Sequence, residues 1–202
     1  MIKELQDEIG GETGLTLEKP QKGMPGHRPD GDKMPGQRLE HPFGPLYSAK
    51  SRILILGSFP SVKSREQNFF YGHPQNRFWR VIAAVFDQPL PHSIEEKKRL
   101  ILTNGLALWD SIAGCEITGS SDASIKNAQV NDISIILNSC SIELICCNGR
   151  KSHELYCRYI EPQTGREAVC LPSTSPANAQ WNLERLTEAW SVISLEGMND
   201  VY

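Results

Sequence analysis

The chain lacks the sequence features that mark several common classes of protein. None of its apolar runs approaches the roughly 18 residues that a helix needs to cross a bilayer, and no charged-then-apolar signal segment follows Met1. It has no glycine-rich motif for nucleotide phosphates, no H-E-x-x-H metal motif and no G-x-S-x-G nucleophile motif. We therefore expect a soluble cytoplasmic protein without membrane contact, and neither a nucleotide-phosphate site nor a serine nucleophile.

Cysteine and charge exclude further classes. None of the six cysteines forms a C-x-x-C pair, and Cys146 and Cys147 lie in the apolar run IELICC, where cysteine acts as a small buried side chain. We expect reduced, structural cysteines and no zinc-knuckle or thioredoxin-type motif. The net charge of −3 argues against coating nucleic acid by bulk charge, although a local basic groove remains compatible with it.

Composition divides the chain into a tail and one domain. Residues 1–40 are rich in glycine, proline, lysine and glutamate, a composition that cannot sustain a hydrophobic core. They are predicted to form a flexible tail with a short helix at Ile2–Ile9. Residues 41–202 are predicted to form a single domain.

Apolar periodicity in this domain predicts alternating strands and helices. Strands are expected at Arg52–Leu56, Ile142–Cys147 and Glu167–Leu171, with a strand or turn in NGLALWD; helices are expected at Asn76–Phe86, Glu95–Leu102, Asp132–Asn138 (capped by Asn131), Ser152–Ile160 and Ala177–Ile193. Phe78, Trp79, Trp109 and Trp190 are assigned to the core. The pattern predicts a three-layer α/β/α sandwich with a mostly parallel central sheet.

Three polar segments fall where the predicted strands end. They are GSFPS (57–61) leading to YGHPQN (71–76), CNGRKS (147–152) and LPSTSPAN (171–178). Loops at the carboxyl ends of parallel strands meet at one edge of the sheet. Their amides, hydroxyls and aromatic rings suit recognition of a planar, hydrogen-bonding ring, with water as the attacking group.

These segments, in this order, resemble the hypoxanthine-DNA glycosylases of the uracil-DNA glycosylase superfamily. The resemblance spans roughly residues 41–193 and includes NGLALWD; HPQNRFW also resembles the mismatch-specific uracil-DNA glycosylases, and LPSTSPA the thymine-DNA glycosylases. It implies the three-layer fold, no metal or other cofactor, and hydrolysis of the N-glycosidic bond of deaminated bases in DNA, chiefly hypoxanthine. The mismatch-specific branch holds the attacking water with an asparagine where this chain has Phe59. In the hypoxanthine branch the asparagine matching Asn76 carries the catalytic burden. Iron–sulfur branches have an extra cysteine pair before the first motif, and no cysteine precedes Cys115 here.

The resemblance and the residue chemistry together assign candidate roles. Asn76 is the catalytic candidate: its amide could pair with both O6 and N1–H of hypoxanthine or hold the water, and a helix cap is its structural alternative. The base-binding candidates are Ser58, Phe59, Tyr71 and Asn148. Core packing competes for Phe59, and a phosphate contact or a helix cap for Asn148. The DNA-backbone candidates are Ser61, Ser173, Thr174 and Ser175, with a plain turn as the alternative for Ser61. Leu171, or a residue after these serines, is a candidate to fill the gap left by the base.

We expect a monomeric base-excision-repair enzyme, associated with the nucleoid, whose partner is DNA containing deaminated bases. No loop lysine is placed for Schiff-base chemistry, so we expect no strand cleavage by elimination. Two alternatives remain open. One is the same chemistry on uracil or xanthine, and the other is a noncatalytic protein that binds damaged DNA or nucleotides.

Overall fold

A four-stranded parallel sheet forms the centre of the molecule. The structure is a computed structural model and describes residues 38–118 and 121–194. The central strands are β2 (Ile53–Gly57), β3 (Leu106–Asp110), β6 (Leu144–Asn148) and β7 (Val169–Leu171). They lie in the order β3-β2-β6-β7. All neighbours in this order pair in parallel.

Seven α-helices accompany the strands in the part of the chain that the structure describes. They are α1 (Val62–Gln67), α2 (Phe78–Val85), α3 (Ile94–Thr103), α4 (Ser134–Leu137), α5 (Arg150–Leu155), α6 (Glu161–Thr164) and α7 (Leu183–Trp190). Helix α2 packs against α7, α3 against β3, and α5 against β6 and β7. The predicted α/β sandwich with a mainly parallel sheet is confirmed.

The four aromatic residues assigned to the core are all buried: Phe78, Trp79, Trp109 and Trp190. Phe78 and Trp190 are fully enclosed and meet edge to face, with their ring centroids 5.8 Å apart. This contact joins α2 to α7, so it helps to fix the loop before α2 and the loop before α7 relative to each other.

Three of the predicted helices differ from expectation in their start, their regularity or their cap. The last helix starts at Leu183 rather than Ala177, because the side chain of Asn182 caps it by accepting the N–H of Arg185 at 2.9 Å. The helix expected over 152–160 is α5, which continues into a π-helical turn at Tyr156–Ile160. Asn131 does not cap α4. Its amide instead donates to the backbone oxygen of Asp110 at 2.8 Å.

A second, antiparallel sheet was not predicted. It consists of β1 (Arg38–Glu40), β4 (Ile112–Glu116) and β5 (Lys126–Val130), in the order β1-β4-β5. Strand β1 uses three residues that the sequence assigned to the tail, so the ordered domain begins before His41. The expected helix at Ile2–Ile9 lies outside the described residues. No helix within residues 38–118 and 121–194 is both long and apolar enough to cross a membrane.

Candidate active site

A cavity of about 110 Å³ lies at the carboxyl edge of the parallel sheet. Its walls come from the ends of β2, β3 and β6 and from the loops that precede α1, α2 and α7. All nine site residues proposed from the sequence line it: Ser58, Phe59, Ser61, Tyr71, Asn76, Asn148, Ser173, Thr174 and Ser175. The segments predicted to converge therefore do so, while the chemical roles of these residues stay predictions.

Two backbone N–H groups fix the orientation of both asparagine amides in the cavity. The N–H of Phe78 donates to Asn76 Oδ1, and the N–H of Thr174 donates to Asn148 Oδ1, both at 2.9 Å. Because a backbone N–H can only donate, these contacts identify the oxygen of each amide. The amide nitrogen of Asn148 then donates to Thr174 Oγ1 at 2.9 Å.

The hydroxyl of Thr174 completes a directed chain between the two asparagines. It accepts from Asn148, so its single proton goes to Asn76 Oδ1, 2.9 Å away. The oxygen of Asn76 thus accepts two hydrogen bonds from the protein, and its Nδ2 group is the part left to a ligand. This corrects the expectation that Asn76 pairs with both O6 and N1–H, since its acceptor is already occupied.

The same chain corrects the role predicted for Thr174. Its side chain is fully buried, and its hydroxyl hydrogen bonds lie within the protein. It therefore holds the two asparagines and does not offer its side chain to a phosphate. Leu171 is 1 % exposed, so it does not fill the gap left by a base in this conformation.

Three of the four hydroxyls assigned to the DNA backbone remain for that role. Ser173 and Ser175 are partly exposed at the cavity wall, and the Oγ of Ser173 accepts the N–H of Ser175. Ser61 Oγ accepts the N–H of Ser64 at 3.2 Å and so caps α1. For Ser61 the structural role is thus present, and a phosphate contact would have to coexist with it.

Arg77 fastens the loop before α7 to the loop that carries Asn76. Its guanidinium donates to the backbone oxygens of Thr174, Ser175, Asn178 and Trp181. Its own N–H donates to the oxygen of Thr174 at 3.1 Å. Burial lowers the pKa of the Arg77 guanidinium below its ordinary value. No carboxylate of the described residues forms an ion pair with it. Sequence analysis did not identify this positioning role.

Two aromatic residues form apolar parts of the wall. Tyr71 has a φ of 50°, a left-handed conformation that is rare for a bulky side chain and is found at functional sites. Its ring is stacked on Phe78 with the centroids 3.8 Å apart, so only the other face and the edge could meet a base. Phe59 is 8 % exposed and also packs with Ile112 and Leu155, so the core packing that the sequence left open is present, while its contact with a base stays a prediction.

Asp110 is a cavity residue that sequence analysis did not identify. It ends β3 opposite Gly57 and is 5 % exposed. Its Oδ2 lies 2.8 Å from Nε2 of His41, whose side chain is buried. Its Oδ1 occupies the position of a side chain on Gly57, since a Cβ there would lie 2.1 Å from it. The sequence signal for Asp110 was an acidic residue at the end of an apolar strand. Because NGLALWD was predicted only as a strand or a turn, this signal was not recognised.

No group of three or more histidine, cysteine, aspartate or glutamate side chains in the described ranges is arranged to hold a metal ion. None of the six cysteines, all of which lie in the described ranges, forms a disulfide, and five are buried. Burial raises the pKa of the Cys146 thiol far above its ordinary value. The cavity consequently offers amides, hydroxyls, aromatic surface and one carboxyl group for chemistry.

Comparisons with known proteins agree with this geometry. The sequence profile of the uracil DNA glycosylase superfamily matches residues 45–194. The hypoxanthine DNA glycosylase of Methanosarcina acetivorans is 33% identical over 160 residues, which cover 77% of this chain and 98% of that protein. The enzyme of the same name from Methanosarcina barkeri is 33% identical over 152 residues, or 74% and 94% of the two chains.

A solved structure supports the same assignment. The solution NMR structure of a protein from Methanosarcina acetivorans, provisionally assigned as a uracil DNA glycosylase, is similar with a TM-score of 0.66 and 31% identity. The similarity covers 78% of this chain and 97% of that one. The chain belongs to the uracil DNA glycosylase superfamily and is a DNA glycosylase.

Proposed function

We propose that this glycosylase removes hypoxanthine from deoxyinosine in DNA by hydrolysing the N-glycosidic bond, as a monofunctional enzyme of base excision repair. The single observation that carries the proposal is the fixed amide of Asn76, whose oxygen is held by the protein and whose Nδ2 is left to the cavity. Support for the substrate comes from the two relatives named hypoxanthine DNA glycosylase.

The reaction breaks the bond between C1′ of the sugar and N9 of the base. The base must first leave the helix stack and enter the cavity. As the bond stretches, positive charge grows on the sugar and negative charge on the departing base, and water captures C1′. A donor directed at the base strengthens its hydrogen bond as that charge grows, which lowers the barrier.

Asn76 is suited to this donor role. Its Nδ2 can donate to a carbonyl oxygen of the base, such as O6 of hypoxanthine. An attacking water instead needs an acceptor for its proton, and Asn76 Oδ1 already accepts from Phe78 and Thr174. The occupied oxygen therefore favours contact with the base over the holding of water, the alternative that the sequence left open.

The DNA backbone is assigned to the partly exposed rim. Ser173 and Ser175 lie on the loop that Arg77 fastens, so their hydroxyl groups can donate to phosphates in a fixed register. Arg150 and Lys151 begin the helix that follows Asn148 and add positive charge beside this rim. Such contacts position the DNA without reading its sequence.

Excision of defined bases tests the proposal. Duplex and single-stranded oligonucleotides carrying one deoxyinosine, deoxyuridine or deoxyxanthosine are incubated with the protein, and abasic sites are then cleaved by alkali and resolved on a gel. We expect product from deoxyinosine, strand breaks only after alkali, and no protein–DNA adduct with borohydride. Efficient excision of uracil without excision of hypoxanthine would contradict the substrate, and binding without product would indicate a noncatalytic protein.

A further inference from the structure

We propose that Asp110 selects the base by accepting a hydrogen bond from a lactam N–H, which is N1–H in hypoxanthine. The inference deepens the proposed function and rests on it. The cavity then contains both a hydrogen-bond donor and a hydrogen-bond acceptor for one edge of the base. Asn76 Nδ2 donates to the carbonyl oxygen of the base, and Asp110 Oδ1 accepts from the adjacent ring N–H.

The position of Asp110 places it at the deep end of the cavity. It is 5 % exposed, whereas Asn76, Ser173 and Ser175 at the same cavity are partly exposed. A base that enters by rotating out of the helix stays joined to the sugar at the mouth. The edge of the ring farthest from the glycosidic bond therefore reaches the deep end first, and in hypoxanthine that edge carries O6 and N1–H.

The hydrogen bonds of His41 determine which oxygen of Asp110 is available. The N–H of Phe43 donates to His41 Nδ1 at 3.4 Å, so this nitrogen is an acceptor and the proton is on Nε2. Nε2 then donates to Asp110 Oδ2, 2.8 Å away. The carboxyl group is held by this contact, and its other oxygen lies beside Gly57 at the cavity wall.

The resulting pair distinguishes bases by the order of donor and acceptor on one edge. Hypoxanthine presents the acceptor O6 to the Asn76 amide and the donor N1–H to Asp110. Adenine presents an amino group and a ring nitrogen acceptor. A donor would then face the Asn76 donor, and an acceptor would face the Asp110 acceptor. A buried polar group left without its partner makes such a site discriminate strongly. Uracil has the same lactam order, so the pair selects a class of bases and not hypoxanthine alone.

A different role for Asp110, as acceptor of the proton of the attacking water, predicts another result. The water attacks C1′, which stays at the mouth with the sugar, while Asp110 is at the deep end. A water-activating group would change the excision rate and leave the preference among bound bases unaltered. Binding preference in the absence of cleavage therefore separates the two roles.

The test measures the affinity of the full-length protein for oligonucleotides that carry 2′-fluoro-deoxyinosine or 2′-fluoro-deoxyadenosine. Fluorine withdraws electrons from the sugar, so these substrates bind but resist cleavage. Fluorescence anisotropy gives the ratio of the two Kd values. Asp110→Asn keeps the shape of the side chain and an acceptor for His41. We expect it to lower the preference for hypoxanthine over adenine about tenfold or more, because an amide can also donate to adenine N1.

Asp87→Asn is the matched control, since Asp87 is exposed and does not line this cavity; its preference should equal that of the unaltered protein. An unchanged Kd ratio in folded Asp110→Asn overturns the inference, whatever its excision rate.

If this variant does not fold, the test uses the affinity of the unaltered protein for 1-methylhypoxanthine DNA, which lacks N1–H. We expect at least about tenfold weaker binding than to hypoxanthine DNA, and equal binding overturns the inference. Failure of the unaltered protein to excise hypoxanthine would contradict the proposed function, and this result is distinct from an unchanged Kd ratio.

Discussion

At the scale of single residues, the site depends on a buried threonine. Thr174 is fully buried, and its hydroxyl accepts a hydrogen bond from the Asn148 amide and donates one to the Asn76 amide, whose orientations are set by backbone N–H groups. A hydroxyl can accept and donate at the same time, which a methyl group cannot. The direction of the Asn76 amide therefore depends on the chemistry of residue 174 as well as on its shape.

Replacing Thr174 with valine removes the hydroxyl and keeps the volume. The Asn148 amide is then left without its acceptor, so we expect the free energy of unfolding to fall by about 1–3 kcal/mol. The single-turnover rate of hypoxanthine excision should fall about tenfold or more as Asn76 loses its fixed direction. Thr174→Ser should retain most of the rate. Thr187→Val is the control, because the Thr187 hydroxyl bonds only to the Leu183 oxygen of its own helix. An unchanged rate in folded Thr174→Val would show that the chain does not orient Asn76.

Sequence reasoning identified the amides and hydroxyls of the cavity but not their partners. Asn76 was recognised from its motif and loop, whereas the occupation of its oxygen depends on Thr174, 98 positions away. Asp110 was missed because one acidic residue after LALW has many structural explanations. Its closeness to Gly57 and His41 arises only when β2, β3 and the segment before Leu46 are assembled.

At the scale of elements, the ends of β2 and β3 fit because residue 57 has no side chain. Gly57 and Asp110 are register partners, and a Cβ on residue 57 would lie 2.1 Å from Asp110 Oδ1. Gly57→Ala should displace the Asp110 carboxyl group, lower the unfolding free energy by about 1–3 kcal/mol and reduce excision. Urea denaturation and single-turnover assays measure the two effects.

Gly44 offers a direct control for that substitution, because a Cβ there would meet nothing within 4 Å. Gly44→Ala should leave both excision and stability close to those of the unaltered protein. If Gly57→Ala behaves in the same way, the cavity tolerates a side chain at residue 57, and the close approach has no functional consequence.

Arg77 determines the position of a whole loop. Four backbone oxygens of residues 174–181 accept from its guanidinium, a planar array of donors that a single ammonium group cannot reproduce. In Arg77→Met and also in Arg77→Lys, we expect faster amide hydrogen exchange at Asn178 and Trp181 and weaker binding to deoxyinosine DNA. Arg80→Met, at an exposed position on the helix that follows Arg77, is the control. Unchanged exchange in Arg77→Met would mean that the loop holds its shape by other contacts.

The two sheets differ in how clearly the sequence predicts them. Strands β2 and β6 are short apolar runs that are buried on both faces, and their patterning is unambiguous. Strand β5 reads KNAQV, and β4 contains a glycine, so neither carries the alternation typical of a strand. Their pairing depends on long-range contacts between β1, β4 and β5, which a single sequence does not reveal.

At the scale of the whole molecule, the cavity residues lie between 57 and 175, and β1 starts at Arg38. A chain beginning at residue 36 should therefore keep its excision rate and its melting temperature. A chain beginning at residue 42 loses β1 and His41, and it should melt at a lower temperature because Asp110 Oδ2 loses its donor. Loss of excision by the longer of the two chains would place a functional contact in residues 1–35.

The central claim is that the Nδ2 group of Asn76 stabilises the departing hypoxanthine. The most direct measurement is the single-turnover rate on duplex DNA with one deoxyinosine, compared among the unaltered protein, Asn76→Ala and Asn182→Ala. Both variants lose a side-chain hydrogen bond at the start of a helix, worth about 1 kcal/mol, but only Asn76 lines the cavity. We expect Asn182→Ala to keep its rate and folded Asn76→Ala to lose about 100-fold or more. A rate for Asn76→Ala within a few-fold of the unaltered protein would contradict the claim.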